Sequence, residues 1–141
     1  MDKVYYPLVN LYGHELHDFL LGVNGMNDTN LFNVMFIVLV IISMGLLPGF
    51  YYKMWDRATW ATIAKWLIML LINAVIIFLL NFIWVYSLKN DMVDVDGNYL
   101  SINDTNFIAF GIASSLISCV GFFLGALVWK TQSTNCPHIP F

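Results

Sequence analysis

The sequence predicts an all-α membrane protein: three transmembrane helices with an N-terminal amphipathic interfacial helix and a short external β-hairpin-like loop. Three observations lead there. Hydrophobic residues make up 60% of the 141-residue chain and charged residues 11%, against roughly 25% charged in average soluble domains. Three apolar runs, at 31–47, 66–87 and 107–129, hold no Asp, Glu, Lys or Arg, and approach the ~20 residues that cross a hydrocarbon core of about 30 Å. Aromatic side chains gather at the ends of those runs: Tyr51, Tyr52 and Trp55 after the first, Trp66, Trp84 and Tyr86 around the second, Trp129 at the close of the third. Amphipathic rings prefer the headgroup level, so this is the pattern of interfacial belts. The runs lack the period-2 alternation of a membrane barrel, and a helix satisfies its own backbone in lipid.

The elements follow in order. Residues 1–30 form an external amphipathic tail. Within it Val4, Leu8, Leu11, Leu16, Phe19, Leu20 and Val23 fall near helical spacing, which predicts one helix over 4–23 lying on the membrane face, with Pro7 tolerated in its first turn. No stretch in the first thirty residues resembles a cleaved secretory signal, so the run that follows is expected to be retained. Residues 31–50 form the first transmembrane helix, closed by Pro48-Gly49, and 51–65 a loop that leads helically into the second transmembrane helix at 66–87. Residues 88–106 are an acidic loop in which 93–95 and 98–102 flank Asp96-Gly97, a hairpin signal. The third transmembrane helix occupies 107–129, and 130–141 is a tail.

Charge sets the expected orientation. The first loop and C-terminal tail carry Lys53, Arg57, Lys65 and Lys130, whereas the N-terminal tail and second loop carry Lys3 and Lys89 with eight of the nine acids. Lys and Arg mark the cytoplasmic side, so the N-terminus and second loop are expected outside and the C-terminus in the cytoplasm of a bacterial inner membrane. Asn27-Asp28-Thr29-Asn30 and Asn103-Asp104-Thr105-Asn106 precede the first and third runs as the same four residues. Both read as helix N-caps at one membrane face. Both are also formal glycosylation sequons, a weaker reading.

The most informative pattern is in the third run. Gly111, Ser114, Ser118, Gly121 and Gly125 repeat at spacings of 3, 4, 3 and 4, a seam of small residues that lets another backbone approach closely. In the second run Asn73 sits at mid-depth and Asn81 two turns on, and amides in hydrocarbon need partners. Ser114 and Ser118 are the expected partners. These seven residues form the expected helix-packing interface: the seam is expected to carry contact with other chains, with Asn73 and Asn81 as polar fasteners.

Other groupings are weaker. His14, Glu15, His17 and Asp18 invite a metal, but the spacing lacks a third His or Cys, and a solvated face is the expectation. The acids Asp91, Asp94, Asp96 and Asp104 do not match a calcium loop. Cys119 and Cys136 form no metal or disulfide framework. No catalytic grouping or phosphate loop appears, so neither an enzyme nor a bound cofactor or metal is expected. The net charge of −3 leaves no basic patch for nucleic acid. The expected partners are the lipid bilayer and other membrane subunits or further copies of the chain. The function expected is a non-enzymatic anchor or scaffold in a secretion, injection or transport assembly. The alternative is a small homo-oligomeric, holin-like pore.

Overall fold

A computed structural model describes residues 2–23, 30–48, 63–93, 98–100 and 102–130. They form six α-helices: α1 (Asp2–Tyr5), α2 (Val9–Tyr12), α3 (His14–Leu21), α4 (Leu31–Pro48), α5 (Ile63–Ser87) and α6 (Asp104–Lys130). Short 3-10 turns lie at Tyr6–Leu8 and Lys89–Asp91. Among the described residues there is no strand, and the architecture is all-helical. Two helical stretches, Ile63–Asp91 and Asp104–Val128, are long and apolar enough to cross a membrane, while Leu31–Leu47 is a shorter apolar helix.

The three long helices pack through rows set by helical periodicity. On α4 the inward row is Leu31, Met35, Leu39, Ser43 and Leu47, one residue every four. On α5 it is Trp66, Asn73, Ile77, Asn81 and Val85. A row of i, i+4 positions drifts little around a helix, so each of these helices buries one stripe. Their opposite faces expose Ile37, Ile41, Leu71, Val75 and Ile83. Helix α6 is central: it packs against both α4 and α5. That position explains its wider buried arc, with Phe107, Phe110, Ala113, Ser114, Ser118, Phe122 and Ala126 all shielded. Helices α4 and α6 run parallel and α5 antiparallel, since one end gathers Leu31, Val85 and Phe107 and the other gathers Leu47, Trp66 and Phe122.

The N-terminal segment differs from the single helix expected over 4–23. Pro7 lies in a 3-10 turn, and Gly13 at φ 94° separates α2 from α3. That left-handed φ is strained for any residue with a Cβ, so the glycine permits the break. Gly22 closes α3 in the left-handed conformation, its N–H donating to the Asp18 and Phe19 carbonyls, a common helix stop. The apolar residues of this segment face the bundle. Tyr5, Val9, Tyr12, Leu16, Phe19 and Leu20 share one core with Phe32, Met35, Phe107, Phe110 and Ala113. The segment is therefore a cap seated on the end of the bundle where α4 and α6 begin.

In the second loop the hairpin reduces, among the described residues, to a single antiparallel bridge between Val93 and Tyr99, with the Leu100 N–H donating to the Met92 carbonyl at 3.0 Å. Its expected turn at Asp96-Gly97 lies outside the described residues, as do most of the first loop, the C-terminal tail from 131 and the first repeat up to Thr29. Lys89 and Asp104 join the end of α5 to the start of α6 at 2.5 Å. That hydrogen bond to Asp104 holds the Lys89 ammonium above the usual lysine range. The repeat serves its two helices differently. Helix α6 starts directly after Asn103, the first residue of its copy, and α4 directly after Asn30, the last of its copy. The Asn30 side-chain oxygen is buried with no hydrogen-bond partner among the described residues, so it does not cap α4.

Candidate functional site

The polar residues at mid-bundle form one closed arrangement. Ser43 of α4, Asn73 of α5 and Ser118 of α6 are all fully shielded from solvent. Asn73 Nδ2 donates to Ser118 Oγ at 2.6 Å. Ser43 Oγ donates to Asn73 Oδ1 at 3.2 Å. The Ser43 and Ser118 hydroxyl oxygens lie 3.0 Å apart. With the Ser118 proton directed at Ser43, the three bonds run head to tail around a ring in which each residue donates once and accepts once. Such a ring satisfies one donor and one acceptor on each residue in a low-dielectric interior, where open valences are costly.

Helical spacing brings these groups together. Ser43 continues the four-residue row of α4, Asn73 belongs to the buried row of α5, and Ser118 is the middle of the small-residue seam on α6. Asn73 and Ser118, both singled out in the sequence, are brought into hydrogen-bond contact. Ser43 was not among the expected residues, although it and Asn33 are the polar side chains of 31–47. Its signal was its register, four residues on from Leu39.

The other expected interface residues divide. Gly111 is approached by α5: a Cβ there would meet the Phe78 ring at 2.9 Å and its carbonyl at 3.4 Å. Gly125 is approached by α4: a Cβ would meet Leu47 Cδ1 at 2.5 Å and Met44 Sδ at 3.2 Å. Gly121 has nothing within 4 Å of that position. Ser114 is fully buried, and its hydroxyl has no hydrogen-bond partner among the described residues. Asn81 is buried too, but its Nδ2 donates to the Ile77 carbonyl of its own helix at 3.0 Å. It satisfies itself by bonding back along the helix rather than across to a neighbour. The seam thus receives helices of the same chain at Gly111, Ser118 and Gly125.

The cap adds aromatic residues that spacing alone did not single out. Tyr5 lies 5.0 Å from Phe32 and 5.7 Å from Phe110, centroid to centroid, and Tyr12 meets Phe110 edge-on at 5.2 Å. Such pairs contribute about 0.5–1.5 kcal/mol each beyond area burial. The Tyr12 hydroxyl lies 2.9 Å from His17 Nδ1. Burial pushes both phenols above the ordinary tyrosine range. For Tyr5 the nearby Ser114 hydroxyl partly offsets that rise, without a hydrogen bond of good geometry.

The group expected to form a solvated polar face does not stay together. His14 and Glu15 are exposed, but His17 is buried, its ring 4.9 Å from that of Phe32. It faces inward because it neighbours Leu16 and Leu20 on the buried side of α3. Among the described residues no three His, Cys, Asp or Glu side chains converge. Asp94, Asp96 and Cys136 lie outside the described residues, and Cys119 is half-buried on α6.

Comparison of the chain with family models, with curated proteins and with solved structures finds no match.

Proposed function

We propose that the chain is a three-span integral membrane protein acting as a non-enzymatic anchor or scaffold subunit of a larger membrane assembly. The observation that carries this reading is the Ser43–Asn73–Ser118 ring. The polar groups at mid-depth are spent on fastening three helices to one another. They are not turned toward a path for a solute. The third span in this reading is α4. Its 18 residues fall within the ~17–25 that suffice for a crossing, and its ring contact places Ser43 level with Asn73 and Ser118. Three crossings put the cap and the second loop on one side. The excess of Lys and Arg in the first loop and C-terminal tail makes that side the exterior of a bacterial inner membrane.

The outward faces then meet lipid or other subunits. On α6 that face is the row Ile108, Ile112, Leu116, Val120 and Leu124, all exposed. A homo-oligomeric pore is the second reading, and it requires a polar face turned outward. Ser114 and Ser118, the residues that would supply it, are buried inside the chain's own bundle, which favours the scaffold.

The test is extraction of the tagged chain from its native membranes in mild detergent, followed by native mass measurement. A scaffold yields a species much heavier than the 16.1 kDa chain, with other membrane proteins in fixed ratio. A homo-oligomer that releases dye from vesicles by itself would establish the pore instead.

A further inference from the structure

One exposed flank of α5 and α6 carries a row of side chains whose chemistry changes with depth. Phe78, Phe82 and Tyr86 recur every four residues on α5, so they share a stripe. Their rings stack in turn, Phe78 on Phe82 at 5.9 Å and Phe82 on Tyr86 at 5.6 Å, centroid to centroid. Lys89 stands above the last ring, its Nζ 5.6 Å from the Tyr86 centroid, and pairs with Asp104 at the start of α6. Lower down, the Phe78 ring lies against Gly111 of α6. The α6 turn between those two contacts carries Ile108, which is exposed. Tyr86, Lys89 and Asp104 are exposed as well.

The levels of this row match those of one bilayer leaflet. In the three-span reading, on which this inference rests, Ser118 lies at mid-depth. Asp104 stands fourteen residues before it, about 21 Å along the helix at ~1.5 Å per residue, and half a bilayer with its headgroups is about 20–22 Å thick. The descent from Lys89 to Phe78 is about 16 Å, close to the ~15 Å of one hydrocarbon leaflet. The ion pair therefore sits among headgroups and the rings among acyl chains. The pair retains bonding capacity: Lys89 gives one N–H to Asp104 Oδ1, of the three an ammonium carries, and a carboxylate accepts at both oxygens. Charge selects the head. The N-terminal tail and second loop on this side hold eight of the nine acids, so a purely anionic head meets repulsion there and at Asp104. A head with both a phosphate and a primary ammonium complements both members of the pair.

We propose that this flank binds one outer-leaflet phospholipid with a zwitterionic, primary-ammonium head. Its phosphate rests on Lys89, its ammonium on Asp104, and one acyl chain lies along the Phe78–Phe82–Tyr86 ridge. This goes beyond a scaffold role: it makes the stability of the α5–α6 pair depend on the headgroup of the surrounding lipid.

The experiment is thermal denaturation of the full chain in a mild detergent, with phosphatidylethanolamine, phosphatidylcholine or phosphatidylglycerol of identical acyl chains added at equal mole fraction. Phosphatidylethanolamine is expected to raise the midpoint by about 3 °C or more beyond the other two. Phosphatidylcholine has no N–H to give Asp104, and phosphatidylglycerol has no ammonium. In the variant Lys89→Gln with Asp104→Asn the three lipids are expected to act alike. The pair is exposed, so that variant folds and, without phospholipid, melts close to the parent chain. Equal shifts from all three lipids in the parent chain would overturn the site and leave the three spans standing. A larger shift from phosphatidylglycerol, or a phosphatidylethanolamine preference that survives in the double variant, would overturn it too. No shift from any phospholipid would do the same, and side-specific labelling of the spans then shows whether the three-span reading has failed with it.

Discussion

Removing the Asn73 amide is the sharpest perturbation of the bundle. Asn73 makes two of the three bonds of the ring, to Ser118 at 2.6 Å and from Ser43 at 3.2 Å. Interhelical side-chain hydrogen bonds in membrane proteins average about 0.6 kcal/mol and reach about 1.7, so Asn73→Ala is expected to cost ~1–3 kcal/mol, including a small cavity. The Ser43 and Ser118 hydroxyls, 3.0 Å apart, still satisfy each other, which limits the loss. Ser118→Ala strands the Asn73 donor and is expected to cost a similar ~1–3 kcal/mol. The double variant is therefore less destabilised than the sum of the singles, with a coupling energy of ~0.5–1.7 kcal/mol. The assay is a double-mutant cycle on reversible unfolding in bicelles. Asn81→Ala is the internal control: its amide bonds to its own helix, so its coupling to Ser118 is expected to be near zero. A coupling of zero between Asn73 and Ser118, or an equal coupling for Asn81, would refute the reasoning.

The three glycines of the α6 seam are expected to rank by what a methyl group would meet. Gly111→Ala strikes the Phe78 ring and should lose ~1–3 kcal/mol. Gly125→Ala displaces the flexible tips of Leu47 and Met44 and should lose about 1 kcal/mol. Gly121→Ala meets nothing and is neutral, or stabilising by up to about 1 kcal/mol through helix propensity. Thermal denaturation in one detergent checks the order. In the cap, burial raises the Tyr5 and Tyr12 phenols. The seated cap favours the neutral form, so its stability is intact below the ordinary phenol value of about 10 and is lost as pH rises beyond it. Phenolate absorbance should show a fraction of the tyrosines ionising above the ordinary phenol range that Tyr5→Phe and Tyr12→Phe remove, and Tyr12→Phe should hasten amide exchange across α2 and α3. The Lys89–Asp104 pair is exposed, so Lys89→Gln should matter only at low salt. Because the folded pKa of Lys89 is raised, its contribution is present at neutral pH and fades as pH climbs above the ordinary lysine range. A melting series against salt and pH checks both.

Much of this arrangement is legible in the residues, and the gaps have physical reasons. The long helices follow from uncharged apolar runs, since length and hydropathy suffice to mark them. The contact of Asn73 with Ser118 was foreseeable because an amide in an apolar helix must find a partner. Which groups complete that contact depends on helix rotation, and Ser43 enters only when the α4 row is aligned with α6. The seam was visible as a 3-and-4 spacing, but spacing does not say whose backbone approaches it; here Phe78 and Leu47 of the same chain do. Asn81 resembled Asn73 in every local respect and differs by bonding to Ile77. The apolar spacing of the cap is helical and predicts a single surface helix. Gly13 at positive φ breaks that helix, and the aromatic residues Phe32 and Phe110 give it a protein surface to cover.

Side-specific labelling of single cysteines tests the central claim, three helices held as one membrane-spanning bundle, most directly. Reporters at Leu11→Cys in the cap, Arg57→Cys in the first loop and Tyr99→Cys in the second loop are introduced singly into the cysteine-free chain, and the native Cys136 is kept alone as a fourth, in intact cells and in inverted vesicles. Leu11 and Tyr99 are exposed. Positions 11 and 99 are expected to label from the outside, and positions 57 and 136 only from the cytoplasmic side. Labelling of 57 from the same side as 11 and 99 would mean that α4 and α5 do not cross, labelling of 136 from the same side as 99 that α6 does not, and either would contradict the central claim.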